Sequence, residues 1–126
     1  MIDVRILHVE DNELIAGMAK DLLEDQGWRV ETCANGNTAL VKISANAHYD
    51  LLLIDYDLPD INGLELVHCV RTLAHRSHVP VVMFSASPVE AAAREAGADV
   101  FLRKPQDIVS LVETITTLIG DRQPAL

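Results

Sequence analysis

Residues 51–59 read Leu51-Leu52-Leu53-Ile54-Asp55-Tyr56-Asp57-Leu58-Pro59: four consecutive aliphatic residues, then two carboxylates one residue apart, then a proline. An uninterrupted aliphatic run of this length predicts a strand buried on both faces, of the kind found inside a parallel sheet. Pro59 has no N–H to give to a ladder, so the strand stops near Asp55. Open α/β sheets place their chemistry at the carboxyl ends of strands, which makes Asp55 the first candidate functional residue.

The pattern recurs on either side. Val4 to Val9 is apolar apart from Arg5 and His8 and ends in Glu10-Asp11, a second acidic strand end. Pro80 to Phe84 leads into Ser85-Ala86-Ser87-Pro88, and Asp99 to Leu102 leads into Arg103-Lys104-Pro105. Trp28 to Cys33 instead alternates with a period of two, the mark of a half-exposed edge strand. Helical spacing fills the intervals. Leu14, Ile15, Met18 and Leu22 follow Asn12, a helix cap, and run toward Gly27 as the C′ residue. Ala39, Leu40, Ile43 and Ala47 follow an Asn35-Gly36-Asn37 turn, and Leu64, Val67, Val70 and Leu73 or Ala74 follow the Asp60-Ile61-Asn62-Gly63 loop. Ser87-Pro88 predicts an N-cap with proline at the first helical position, and Gly97 closes that helix. The last helix runs from Asp107, with Ile108, Leu111, Val112, Ile115 and Leu118 on one face, to Gly120. Five strand–helix units with short connections specify an α/β fold, a doubly wound parallel sheet with helices on both faces.

The 126 residues make one domain, assigned to 1–120, with 121–126 as a tail or the start of a linker. A net charge of −9 argues against a nucleic-acid surface, which needs clustered Lys and Arg, and makes a metal cation an easier ligand than an anion. Cys33 and Cys69 form no CxxC pair and read as apolar residues of a reduced compartment, without a disulfide. No leader and no apolar run of spanning length is present, so the expected location is the cytoplasm, without membrane contact.

Four of the five strands thus end in a functional group: Glu10-Asp11, Asp55, Ser85 and Lys104. In a parallel sheet these ends share one edge. Three carboxylates gathered there raise one another's pKa unless a cation holds them ionised, and Mg2+ suits carboxylates, water and phosphate oxygens. A lysine and a hydroxyl beside that ion are what a phosphoryl group requires. The set reads as a carboxylate nucleophile equipped to accept phosphate.

Four blocks in this order, Val9-Glu10-Asp11-Asn12, Leu53 to Pro59 with Asn62-Gly63-Leu64-Glu65-Leu66, Phe84-Ser85-Ala86, and Gly97 to Pro105, resemble the receiver domain of bacterial response regulators in two-component signalling systems. The resemblance implies the flavodoxin-like receiver fold: five strands in the order 2-1-3-4-5, flanked by five helices. It implies that Asp55 is the phosphoacceptor, taking phosphate from a sensor histidine kinase or histidine phosphotransfer protein. Asp11 and Asp55 match the magnesium ligands, with Glu10 acting through water and the Asp57 backbone carbonyl completing the set. Ser85, followed by Ala86, matches the phosphoryl-binding hydroxyl, and Lys104 its cation, beside an often cis bond to Pro105. Phe101 matches the aromatic switch that reports to the face of the fourth helix, fifth strand and fifth helix, where an output partner binds. The domain is then a signalling phosphoacceptor that catalyses only its own phosphorylation and dephosphorylation, a monomer or a weak phosphorylation-dependent dimer. Three features depart from the pattern. Glu10 replaces the commoner aspartate. Ser85 and Lys104 are 19 positions apart, about one helical turn short, which shortens the fourth helix or its leading loop. Asp57 and Ser87 flank the path of the attacking water and tune dephosphorylation.

Each residue taken alone has a plainer reading. Asp55 caps a turn, Glu10-Asp11 opens a helix, Ser85 is a loop serine, Lys104 is solvated and Phe101 is core; the alignment of four strand ends outweighs these. His8 reads as a satisfied core histidine, Met18 and Met83 as core filler, and Ser87 as a helix cap. His68, His75 and His78 read as a solvated helix end, since no cysteine or carboxylate completes a ligand set. Two rival functions remain: a haloacid-dehalogenase-like phosphatase with Asp55 as nucleophile, to which Leu58 and the lack of room for a cap are poorly suited, and a receiver fold used only for interaction.

Overall fold

The computed structural model describes residues 3–120, so the tail assigned to 121–126 lies outside the described residues. The strands are β1 (Arg5–Val9), β2 (Arg29–Cys33), β3 (Leu51–Ile54), β4 (Val81–Ser85) and β5 (Val100–Arg103). They form one parallel sheet in the order β2-β1-β3-β4-β5. The helices are α1 (Glu13–Glu24), α2 (Gly36–Ser44), α3 (Gly63–Thr72), α4 (Glu90–Ala96) and α5 (Leu111–Gly120), with a 3₁₀ turn over Gln106–Ser110. β3 is buried along its whole length, as its unbroken aliphatic run requires, while β2 at the edge is only partly buried and departs from strict alternation, with Val30 and Cys33 buried on opposite faces and Arg29 and Thr32 exposed.

Strand parity divides the core in two. Leu7, Val9, Leu52, Ile54, Met83 and Phe101 face α2, α3 and α4. Ile6, Leu51, Leu53, Val82, Phe84 and Leu102 face α1 and α5. The α1 face differs from the sequence expectation: Ala19 and Leu23 are buried with Ile15 packed beside them, whereas Leu14, Met18 and Leu22 are exposed. Both sets keep helical spacing. The buried set centres on alanine, whose small side chain lets the helix approach the sheet closely, so Met18 is not core filler.

Three helix ends also differ. Asn35 is the N-cap of α2, accepting the Thr38 N–H at 2.8 Å, so Gly36 and Asn37 open the helix rather than forming a turn before it. α4 starts at Glu90 without a side-chain cap, because the Ser87 hydroxyl is taken by the charged carboxylate of Asp57. At seven residues α4 is the shortest helix, in line with the short Ser85 to Lys104 interval. The segment from Asp107 begins as a 3₁₀ turn, with the Asp107 carboxylate accepting the Arg103 N–H at 2.8 Å; α5 proper begins at Leu111. Gly97 closes α4 with φ at +114°, and the Lys104–Pro105 bond is cis.

Candidate functional site

The parallel ladder continues one residue beyond three of the four functional strands, and in the fourth, β4, Ser85 is itself the last strand residue. The Glu10 N–H donates to the Cys33 carbonyl at 2.8 Å, Asp55 to Val9 at 3.1 Å, and Lys104 to Ser85 at 3.1 Å. Residues flanking the strands thereby inherit the rigidity of the sheet, and their side chains meet at its carboxyl edge. There Glu10, Asp11, Asp55, Asp57, Ala86 and Lys104, together with Asn12, Ile15 and Pro105, line a cleft of about 420 Å³.

Lys104 is the centre of charge. Its Nζ lies 2.8 Å from Asp55 Oδ2 and also contacts Glu10 Oε1, and it stands 5.7 Å from the centroid of the Phe84 ring. Glu10 and Asp55 are each 3% exposed, whereas Asp11 is exposed. One ligand atom from each of Glu10, Asp11 and Asp55 lies within 4.8 Å of the others, the single such group of three or more among the described residues. Three carboxylates against one ammonium leave an excess of negative charge, and the hard oxygen donor set fits a hard divalent cation. Burial raises the pKa of Glu10; the Lys104 contact opposes this and the charge of Asp55 adds to it. Burial works to lower the Lys104 pKa, but its bonds to Asp55 and Glu10 prevail and hold it above the ordinary lysine value.

The second half of the site is a hydroxyl network. Ser87 Oγ donates to Asp57 Oδ2 at 2.7 Å, and Ser85 Oγ donates to the same oxygen at 3.4 Å. The Ser87 N–H in turn donates to Ser85 Oγ at 3.2 Å. Asp57 Oδ2 thus gathers both hydroxyls, holding Ser87 closely and Ser85 at the long end of hydrogen-bond distance. The Asp57 N–H donates to Asp55 Oδ1 at 3.2 Å, so both oxygens of Asp55 have a partner. Phe101 is buried in the core layer shared with Met83 and Ala93. Gly63 seals the underside of the site: a Cβ there would collide with the Asp55 carbonyl.

The structure therefore brings together Glu10, Asp11, Asp55, Asp57, Ser85, Ser87, Ala86 and Lys104, and leaves Phe101 outside the cleft, in the core on the α2–α4 side of the sheet. Sequence reasoning missed two participants. Asn12 caps α1 as its position predicts, and its N–H also donates to Glu10 Oε2 at 3.2 Å. Phe84 sits under Lys104, and only its parity with Lys104 across the neighbouring strands could have indicated it. His8 is core at 1% exposure, but it is not satisfied, because neither ring nitrogen has a hydrogen-bond partner. Burial, followed by the nearby Lys104 charge, lowers its pKa to about 3. His75 is not simply solvated, as its Nε2 lies 3.1 and 3.0 Å from the Ile43 and Ala45 carbonyls.

The sequence matches the response regulator receiver domain family over residues 6–116. It is 31% identical over 119 residues to the polar-differentiation response regulator DivK of Brucella ovis, covering 92% of this chain and 96% of that one. Among solved structures, a CheY-like receiver domain protein of Methanospirillum hungatei is 31% identical with a TM-score of 0.88, covering 96% of this chain and 97% of that one. The receiver domain of a Pseudomonas aeruginosa sensor histidine kinase, solved with magnesium coordinated in its active-site cleft, is 26% identical with a TM-score of 0.85, covering 94% and 99%. None of these comparisons supports the haloacid-dehalogenase alternative.

Proposed function

The chain belongs to the response regulator receiver family of two-component signalling, and from that premise we propose that Asp55 is its phosphoacceptor. The observation that carries this reading is Asp55 itself: a rigid strand-end carboxylate with Lys104 Nζ at 2.8 Å, inside the chain's acidic cluster. A carboxylate oxygen of Asp55 attacks the phosphorus of a donor phosphohistidine. The P–O bond forms as the P–N bond breaks, and the electron pair returns to the ring nitrogen, which leaves as neutral imidazole when its other nitrogen carries a proton. Asp11, Asp55, Glu10 through water and the Asp57 carbonyl would hold magnesium. When bound, that ion supplies positive charge to the oxygens of the transferring phosphoryl group.

Lys104 holds Asp55 in place before the reaction and pairs with a phosphoryl oxygen after it. Ser85 exchanges Asp57 for another phosphoryl oxygen, beside Ala86. That exchange, with Phe101 behind it, shifts the population of the α4–β5–α5 face toward the form that binds an output partner. Asp57 and Ser87 border the approach of hydrolytic water and set the lifetime of the acyl phosphate, whose hydrolysis returns Asp55 and inorganic phosphate. The donor is a sensor histidine kinase or a histidine phosphotransfer protein, which places the domain in the cytoplasm. Among the described residues no helix is long and apolar enough to cross a membrane.

Radiolabelled acetyl phosphate with magnesium tests the assignment. Native protein should take up an acid-stable, alkali-labile label, and Asp55→Asn should take up none. Label that persists in Asp55→Asn would remove Asp55 as the acceptor.

A further inference from the structure

The loop that carries Asp57 is fastened at two points. At its stem the Gly63 N–H donates to the Tyr56 carbonyl at 3.0 Å, with no room for a side chain between Gly63 and the Asp55 backbone. At its tip the Asp60 carboxylate reaches across to the start of α2. Asp60 Oδ1 accepts the Gly36 N–H at 2.7 Å and the Ile61 N–H at 2.7 Å, and Oδ2 accepts the Asn37 N–H at 2.8 Å. Loop and helix touch directly here, since a Cβ on Gly36 would lie 2.9 Å from the Ile61 Cβ. Residues 56–62 therefore form a hook, anchored by Gly63 below and Asp60 above, with Asp57 at the cleft.

Two observations separate this clamp from ordinary helix capping. Asn35 already caps α2 through the Thr38 N–H, so Asp60 takes further first-turn amides and joins them to a segment more than twenty residues away. Asp60 is also exposed and fills no core space, so its contribution lies in these three bonds. Charge-assisted bonds to helix N-terminal amides are among the stronger that a surface carboxylate makes. A ligand carried on a loop gains affinity when the loop is already held in its bound shape.

We propose that Asp60 is a positioning residue for cation binding: by clamping the hook to the first turn of α2, it holds Asp57 at the cleft before the ion arrives. The proposal rests on the reading of Glu10, Asp11, Asp55 and the Asp57 carbonyl as a magnesium site. Occupancy of that site is coupled in return to the first turn of α2, because coupling between two equilibria is reciprocal.

Calorimetric titration with Mg2+ of the full chain and of Asp60→Ala, Asp60→Asn and Asp50→Ala tests this. Asp50 makes the same kind of carboxylate-to-amide bond, to Arg5 N–H at 2.8 Å, but at the opposite end of the sheet. Asp60→Ala should weaken magnesium about tenfold, the low end of the loss seen when a group that holds a metal ligand in place is removed. Asp60→Asn, which keeps one acceptor oxygen, should lose less, and Asp50→Ala nothing. In the native chain saturating Mg2+ should slow hydrogen exchange of the Gly36 and Asn37 amides by a similar factor, a measurement that needs no variant to fold. Native-like magnesium affinity in both Asp60 variants, or equal weakening in Asp50→Ala, would overturn the proposal while leaving the metal reading intact. A native chain that binds no magnesium would bring down both.

Discussion

Two buried charge clusters lie at opposite ends of the sheet, and they are built differently. At the amino end Arg76 is 3% exposed; its Nε donates to the Ile43 carbonyl at 2.9 Å, and its Nη2 to those of Ala45 and Ala47 at 2.9 and 2.5 Å. Its guanidinium lies 5.0 Å from the Tyr49 ring centroid. These carbonyls sit in and after the last turn of α2, where the helix dipole is negative, so a cation belongs there and every contact is local to the fold. At the carboxyl end two buried carboxylates, Glu10 and Asp55, share one ammonium, and the exposed Asp11 adds a third negative charge beside them. The hydrogen bonds of the first cluster are complete as it stands; the second keeps an excess of negative charge that a bound cation would offset. Burial of charge alone does not mark a functional site; like charges gathered at a strand-end cleft are the better sign.

Breaking the amino-end cluster should have the largest effect. Arg76→Ala strips three carbonyls of a charged donor and should lower unfolding free energy by about 3 kcal/mol, the upper range for bonds of this kind. Arg76→Lys should restore less than half, since a point charge cannot reproduce the fork. Urea denaturation measures both. The folded fraction of Arg76→Ala should still accept phosphate, and a loss of acceptance at full folding would mean that the two ends are not independent.

The same contrast explains what the sequence disclosed. The sheet and the carboxyl-end residues were legible because a parallel strand carries its function at a fixed place, directly after an apolar run: Ile54 then Asp55, Val9 then Glu10. Arg76 carried no such signal. It falls in the irregular stretch between α3 and β4, and its partners are backbone carbonyls, which any sequence would supply. Ser87 was misread as the cap of α4 because Ser-Pro is a local signal and the Asp57 carboxylate is a distant one. The exposed Leu14, Met18 and Leu22 were misread because helical spacing alone admits two adjacent stripes, and only the close approach of Ala19 selects between them.

His8 is an uncharged group buried near Lys104 and the acidic cluster. Its folded pKa of about 3 lies far below the ordinary value of 6.5. The unfolded chain therefore takes up a proton below about pH 6.5 that the folded chain refuses until near pH 3. Stability is full above the unfolded pKa and falls by about 1.4 kcal/mol per pH unit as pH drops through this window. Between pH 7 and pH 5 the native chain should lose about 2 kcal/mol from this residue, and His8→Leu should flatten that slope without a partner to replace, since His8 has none. Parallel slopes for the two proteins would mean that the imidazole is protonated in the fold.

The smallest effect bears most directly on the imbalance. In magnesium-free buffer Asp11→Asn removes one of three like charges, and because Asp11 is exposed the gain is screened to about half a kcal/mol. Native protein should gain about 1.4 kcal/mol at magnesium ten times its dissociation constant, and Asp11→Asn should gain almost none at the same concentration. The Arg76→Ala protein, destabilised at the other end, should show the full magnesium increment. Thermal melts with and without Mg2+ read all three. The two signs together are the point: a carboxylate whose removal stabilises the empty domain and cancels the response to a cation is held in the fold for the cation's sake. If Asp11→Asn instead destabilised the magnesium-free chain, the carboxyl-end cluster would be balanced after all and the contrast with Arg76 would collapse.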